Sequence, residues 1–385
     1  MLAKDFEEEK KNEREKKEKN KENSTGKVWK IERKTVQKHI KHKLTDVLIC
    51  VMAGVLCGLD KTEEIALYCQ KKAKRLKKFF KVETVASEST INRVLNMVNG
   101  SAVTEIIIEI MRECATEMGE IVAVDGKAIR STGKKGEKNS ALQIITAYLT
   151  QSGVILGQEM LSKKTNEIPV FQAMLGYMDI TGKIITADSL HCQRETCKQI
   201  IEHKGNYVIG LKKNQKTLYE EIEIFIKDPL NAEEIEIYEG KIEKNGGRIE
   251  KRVCYKLKDV SWLSMYDKWA GLKSVFAVKR TTITKEKTTE ETNYYITSLD
   301  KEPEELLVIV REHWKIESMH WMLDVVFSED ECRILSKNGQ KTLNIFRKFA
   351  LLLHKQYMLN NDVTSSVKSH MFRCLLDDDL LLALL

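Results

Sequence analysis

The chain has 385 residues, 31% of them charged and 42% hydrophobic, and carries a formal net charge of +7. That length allows two or three domains around a sizeable core; the longest apolar run, Val47 to Cys57, is too short to span a bilayer and too far from the start for a signal peptide. Nine cysteines, odd in number and without a CxxC pair, exclude a disulfide framework and a structural zinc ribbon, so a cytoplasmic protein with reduced thiols and no membrane segment is expected.

Residues 1–43 form a charged, flexible tail. The first 45 residues hold 15 Lys or Arg against 9 Asp or Glu, so nearly all of the excess positive charge lies there. Such mixed charge reads most simply as a solubilising tail, and functionally as a non-specific phosphate contact. Residues 44–118 form a helical N-terminal domain: no proline interrupts them, and apolar residues recur at helical spacing through Leu48 to Leu56, Ile65 to Cys69 and Ile106 to Met111. Lys71 to Lys78 make a basic helix face, and Ser87-Glu-Ser-Thr90 can cap a short helix carrying Asn92 and Arg93. Two helices across a tight connection would suit a helix-turn-helix-like reader of the major groove, with Arg93 toward DNA, although helix pairs with Lys on the wet side are common in proteins that never touch DNA.

From 119 to 357 the pattern changes to α/β. Strands are expected at 121–125, 142–150, 154–161, 183–188 and 206–212, with helices near 167–178 and 192–204, the order of a mixed sheet that begins as an antiparallel meander. Residues 233–300 read as a β-rich insertion, with strands at 234–238, 248–257, 273–282 and 293–299. Pro303 can open a helix whose apolar spacing continues through Trp321, and another amphipathic helix covers Leu343 to Tyr357. Residues 358–385 form a C-terminal helical tail whose leucines face the core or a second subunit.

Three carboxylates stand out on this frame. The apolar runs Ile121 to Val124 and Ile184 to Ala187 each end in an aspartate, Asp125 and Asp188. Strand-end aspartates also serve as turn formers or helix caps. On the later helix His313, Glu317, His320 and Asp324 are spaced three or four apart and share one face. Two Asp from strand ends and one Glu from a helix can converge on one point, a divided oxygen-ligand site for Mg²⁺ and phosphoryl transfer on DNA.

Asp125-Gly-Lys127 with the following Arg130-Ser-Thr-Gly-Lys-Lys loop, Lys164-Thr-Asn-Glu-Ile-Pro169, Asp188-Ser-Leu-His-Cys-Gln193, Tyr207-Val-Ile-Gly-Leu-Lys212-Lys-Asn-Gln215 and the stretch from His313 to Asp324 occur in that order. This series resembles the DDE transposases of the ISAs type, the insertion-sequence group that includes the H-repeat-associated proteins, from about Leu44 to His354. The resemblance implies an RNase H-like catalytic core with Asp125, Asp188 and Glu317 as catalytic, metal-holding triad. It also implies Mg²⁺ as cofactor with Mn²⁺ as a substitute, and double-stranded DNA as partner, both the element's terminal repeats and the target. A homodimer in the DNA complex, association with the nucleoid and the absence of a nucleotide cofactor complete the expectation. Val310, His313 and Asp324 stand where the broader superfamily carries Tyr, Arg and Lys.

Lys127, Arg130, Lys212, Asn214, Gln215, His313 and Arg93 are the candidates for DNA contact, because phosphate contacts position a duplex without reading it. Glu167 reads as a further acid near the site or as a helix N-terminal charge, and His191 and His320 as water- or substrate-orienting groups or simple surface histidines. Two other functions fit parts of the pattern. One is a DNA-binding protein with a decayed or repurposed catalytic core. The other is a zinc hydrolase built on His313, Glu317 and His320, which would leave Asp125 and Asp188 without a role.

Overall fold

A computed structural model describes residues 42–115, 119–133, 137, 140–161 and 166–384. The expected tail therefore lies almost wholly outside the described residues, as do Lys134, Lys135 and Lys164.

Five helices come first: α1 (Leu44–Leu56), α2 (Thr62–Lys71), α3 (Ala73–Phe80), α4 (Glu88–Met97) and α5 (Gly100–Cys114). Helix α1 is apolar on nearly every side and is buried accordingly, whereas basic α3 buries only Leu76. The Asn99 side chain caps α5 by accepting from the Ser101 and Ala102 N–H groups. The tight helix-turn-helix expected around Arg93 is not formed. After a left-handed Lys81, residues 82–87 connect α3 to α4 without regular structure, held where the buried Asp46 carboxylate of α1 accepts hydrogen bonds from the N–H groups of Glu83 and Thr84. The Ser87 hydroxyl turns to Ser89 and Thr90 instead of capping α4.

The sheet then assembles. Strands β1 (Ile121–Ile129), β2 (Leu142–Leu149) and β3 (Ile155–Leu161) form the antiparallel meander. Helix α6 (Glu167–Leu175) crosses to β4 (Ile184–Ala187), and α7 (Arg194–Glu202) crosses to β5 (Asn206–Leu211); both strands lie parallel to β1. After α8 (Lys216–Lys227) come β6 (Ile235–Glu239), β7 (Glu243–Asn245), β8 (Arg248–Leu257), β9 (Ser274–Ile283) and β10 (Thr288–Thr297). The β-rich insertion does not stand apart. Strand β10 pairs antiparallel with β5, giving one ten-stranded sheet in the order β3-β2-β1-β4-β5-β10-β9-β8-β6, with β7 on β8.

The helix expected through Trp321 is two, α9 (Pro303–His313) and α10 (Lys315–Val325). They break at Trp314, whose ring is met by the guanidinium groups of Arg252 from β8 and Arg280 from β9, 5.4 and 5.0 Å from its centroid. Helix α9 covers one face of the sheet, its Leu306, Ile309 and Val310 packing with Ile121, Ile184 and Val208. The other face carries the larger core, which includes Val122, Val124 and Ile185. Central strands covered on both faces read as unbroken apolar runs, as β1 and β4 do at their starts. Helix α11 (Lys337–Asn360), capped by Ser336, passes through this core against α5 and α1. The C-terminal helices α12 (Val367–Leu376) and α13 (Asp378–Leu384) fold back onto the first helices, where Asp378 pairs with Lys72 at 2.7 Å and Arg75 at 3.4 Å. The two ends of the described chain thus build one helical body. No single helix among the described residues is long and apolar enough to cross a membrane.

Candidate active site

The parallel register of β1 and β4 runs from Ile121 opposite Ile184 to Val124 opposite Ala187, so the next positions set Asp125 beside Asp188, at a strand spacing of about 4.8 Å. The chain leaves β1 toward β2 and β3 on one side and returns to β4 on the other. Asp125 and Asp188 therefore stand at the switch point of the sheet, where open α/β sheets place their ligands.

Each aspartate is held from behind. Asp125 Oδ1 accepts from the Gly126 N–H at 2.9 Å, and Oδ2 lies 3.4 Å from His320 Nδ1. Asp188 Oδ1 accepts from the Leu190 N–H at 3.1 Å, so this residue is also the cap of the turn that follows it. His313 Nδ1 lies 2.9 Å from Thr186 Oγ1 on β4, and burial pushes its pKa below the usual value against the opposing pull of Asp125 and Asp188. That imidazole supports the strand ends from within the fold, which does not suit the DNA contact expected of it.

Glu317 stands in the first turn of α10. Burial and the neighbouring Asp125 charge raise its pKa, with His320 and Arg280 opposing. A carboxyl raised partly by another carboxylate is one that a cation would relieve, and an all-oxygen donor set suits a hard divalent ion. The three carboxylates are not drawn into one tight cage. Among the described residues, the one trio of metal-ligand atoms within 4.8 Å of one another is His354, His370 and Cys374 in the helical body. Looser spacing accords with ions that take one or two carboxylates each and fill their remaining positions with water and phosphate oxygens. His313, Glu317 and His320 do not come together as a ligand trio either, which removes the support for a zinc hydrolase.

The structure redistributes the expected DNA contacts. Lys127 is buried, and its ammonium lies 2.5 Å from both Asp324 Oδ1 and Glu329 Oε2, so it serves an internal ion pair and not a phosphate. Asn214 Nδ2 donates to Ser189 O at 2.7 Å, and Gln215 Nε2 donates to Cys192 O at 2.8 Å. These amides clamp the turn that begins at Asp188. Gly210 lies directly beneath that turn, where an added Cβ would come within 3.2 Å of Ser189 N. Lys212 is exposed just beyond β5, and Arg130 is exposed beyond β1 with its backbone N–H bonded to Asp330. Arg93 is exposed on α4, in the helical body.

His191 and His320, open to reading as orienting groups or as surface histidines, are both buried. His191 lies edge-on to Phe171 and 3.4 Å from Glu167 Oε1. The Glu167 carboxylate lies over Gly126, where a Cβ would come within 2.3 Å of it. Glu167 thus brings a fourth carboxylate to the strand carrying Asp125, and the missing side chain of Gly126 makes room for it.

The support beneath β1 has no signal in the sequence. Glu329, fully buried after α10, takes Lys127 on one oxygen and Asn344 and Arg347 of α11 on the other, at 2.8 and 3.2 Å. Burial works to raise its pKa, yet Arg347 and Lys127 hold it down at about 2. The run Glu329-Asp330-Glu331 reads as a solvated loop, so nothing in its pattern marks the first acid as internal.

A meander followed by two parallel crossovers, with carboxylates at the switch point and a covering helix after the insertion, defines an RNase H-like core preceded by helices. The family model described as Transposase DDE domain matches residues 116–353, and another, described as DDE_Tnp_1-associated, matches residues 30–111. The chain is 32% identical over 329 residues to "Putative transposase YncI" of Escherichia coli O157:H7, covering 82% of this chain and 83% of that protein. It is 31% identical over 335 residues to "H repeat-associated putative transposase YhhI" of Escherichia coli strain K12, covering 84% and 85% of the two chains. The chain belongs to the DDE transposases, in their H-repeat-associated group.

Proposed function

We propose that the protein is a catalytically active DNA transposase that cleaves DNA at the ends of its element and joins the freed 3′-hydroxyl to target DNA. The observation that carries this reading is the position of Asp125 and Asp188 one residue past the paired ends Val124 and Ala187 at the switch point, with Glu317 close enough for the Asp125 charge to raise its pKa. Mg²⁺ or Mn²⁺ ions held by these three residues would supply positive charge to the attacking and leaving oxygens of an in-line displacement.

The chain's own part is positioning. The Gly126 N–H and His320 fix the Asp125 carboxylate; the Leu190 N–H fixes Asp188, whose turn is clamped by Asn214 and Gln215. Lys212 and Arg130 would meet the phosphate backbone of double-stranded DNA, a role supported by their exposure beyond their strands, Arg130 from beside Asp330, 3.7 Å from its guanidinium. In the first step water attacks the phosphodiester and a 3′-hydroxyl departs; in the second that hydroxyl attacks a target phosphodiester at the same carboxylates, forming the new phosphorus–oxygen bond as the target strand's own 3′-hydroxyl leaves. Two element ends must be brought together, so the working form is a homodimer at the nucleoid, with no nucleotide cofactor.

The test is to replace Asp125, Asp188 and Glu317 singly by alanine and to measure cleavage, joining and duplex binding. Each variant should lose strand chemistry by about 1,000-fold or more while binding DNA as before. A variant with full cleavage removes its residue from the triad; binding without cleavage by the wild type would favour a decayed or repurposed DNA-binding protein.

A further inference from the structure

In the helical body, far along the chain from the carboxylates, His354 of α11 and His370 and Cys374 of α12 are all buried, with potential ligand atoms within 4.8 Å of one another. His370 and Cys374 are four residues apart on one helix and so share a face. His354 Nε2 lies 3.0 Å from Leu56 O, at the end of α1, and donates its proton to that carbonyl. This leaves the lone pair of His354 Nδ1 facing His370 Nδ1, 2.8 Å away. His370 Nδ1 therefore donates to it, and His370 Nε2, left with a lone pair, is buried with no hydrogen-bond partner.

Both rings are kept neutral by burial, His354 at a pKa of about 4, with His370 adding to the effect. Burial pushes the Cys374 thiol up to about 12, and Cys57, next to Leu56, is near enough for its charge to contribute. Two neutral imidazoles and a thiol, with an imidazole N–H tied to a backbone carbonyl, are the donors and outer-shell support of a zinc site. Tetrahedral bonds of about 2.0 Å to nitrogen set two imidazole nitrogens roughly 3.3 Å apart, so the His354 and His370 rings, 2.8 Å apart at Nδ1, part slightly to admit the ion.

We propose that His354, His370 and Cys374 bind a structural Zn²⁺ ion as three of its ligands. Binding releases the Cys374 thiol proton to solvent, and the His370 proton moves from Nδ1 to the unpartnered Nε2, so that both imidazoles coordinate as neutral rings. The ion would join α11 and α12 beside the end of α1 and so lock together the body built from both ends of the described chain. No CxxC pair announces such a site, because its ligands come from separate helices.

The experiment uses the full chain, purified reduced and without a histidine tag, carrying Asp125→Ala, Asp188→Ala and Glu317→Ala so that the active-site carboxylates hold no ion. Metal analysis should find about one zinc per chain, falling roughly tenfold or more with Cys374→Ser or His370→Gln. Cobalt added to the zinc-free chain should produce a thiolate-to-cobalt charge-transfer band that Cys374→Ser lacks. If those variants fail to fold, the band in the parent chain decides. A parent chain that retains no zinc and gives no thiolate band on cobalt titration overturns the proposal.

Discussion

Replacing Glu329 with glutamine would leave Lys127 and Arg347 buried against a neutral amide. In the folded protein the Glu329 carboxyl titrates at about 2 against an ordinary 4.5, burial opposing the shift and Arg347 and Lys127 producing it. That difference corresponds to about 3 kcal/mol in favour of the folded state at neutral pH, in line with the roughly 3–5 kcal/mol lost when one member of a buried ion pair is removed. Asp324, which keeps a share of Lys127, favours the lower end of that range. The folded pKa is depressed, so the unfolded chain binds more protons between the two values. The contribution is therefore complete above about pH 4.5 and is lost as the pH falls toward 2. Urea unfolding at pH 7 should show the variant destabilised by about 3 kcal/mol with an unchanged slope, and the gap from wild type should narrow as the pH is lowered through that window. A loss under about 1 kcal/mol at pH 7, or a gap that ignores pH, would show that the cluster is solvated and does not brace β1 as argued.

Asn214→Ala should cost about 1 kcal/mol of stability and slow cleavage while leaving duplex affinity in gel-shift titrations unchanged; weakened binding with normal cleavage at saturation would return this residue to the DNA contacts. Gly126→Ala sets a Cβ within 2.3 Å of Glu167 Oε1 and should drive that flexible carboxylate away from His191. Its stability should change by less than about 1 kcal/mol, and its cleavage rate should fall to that of Glu167→Gln with no further loss in the double variant; fully additive losses would separate the two residues. For Lys212→Ala, the slope of log affinity against log salt should shrink by about 1, whereas an unchanged slope would take Lys212 off the phosphate backbone.

How far the sequence shows this structure depends on the distance between partners. β2, β3, β4 and β5 fall within one or two residues of their expected bounds because the apolar runs that define them are local. β1 outruns its expected end at Asp125 and reaches Ile129, because pairing with β2 continues past Gly126 and a buried lysine occupies position 127. Lys127 looked like a phosphate contact because it follows Asp-Gly, and its actual partners lie 197 and 202 residues away. The same remoteness hides the break at Trp314, whose arginines come from the insertion, and the strap at residues 81–87, pinned by Asp46. Asp125 and Asp188 could be singled out because each follows an unbroken apolar run, and Glu317 because it lies on a helix of clear period. Their bracing by His320, Asn214 and Glu329 could not, since an isolated polar residue carries no sign of its partner.

The central claim is that the carboxylates at the switch point perform cation-dependent strand chemistry. It is tested most directly by incubating labelled duplex carrying the element's own ends with wild-type protein and with Glu317→Ala, in Mg²⁺, in Mn²⁺ and in EDTA. Nicking by the wild type in either cation, absent in EDTA and absent from the variant under all three conditions, is the predicted result. Nicking that persists in EDTA or in Glu317→Ala, or duplex binding without cleavage in every condition, would contradict it.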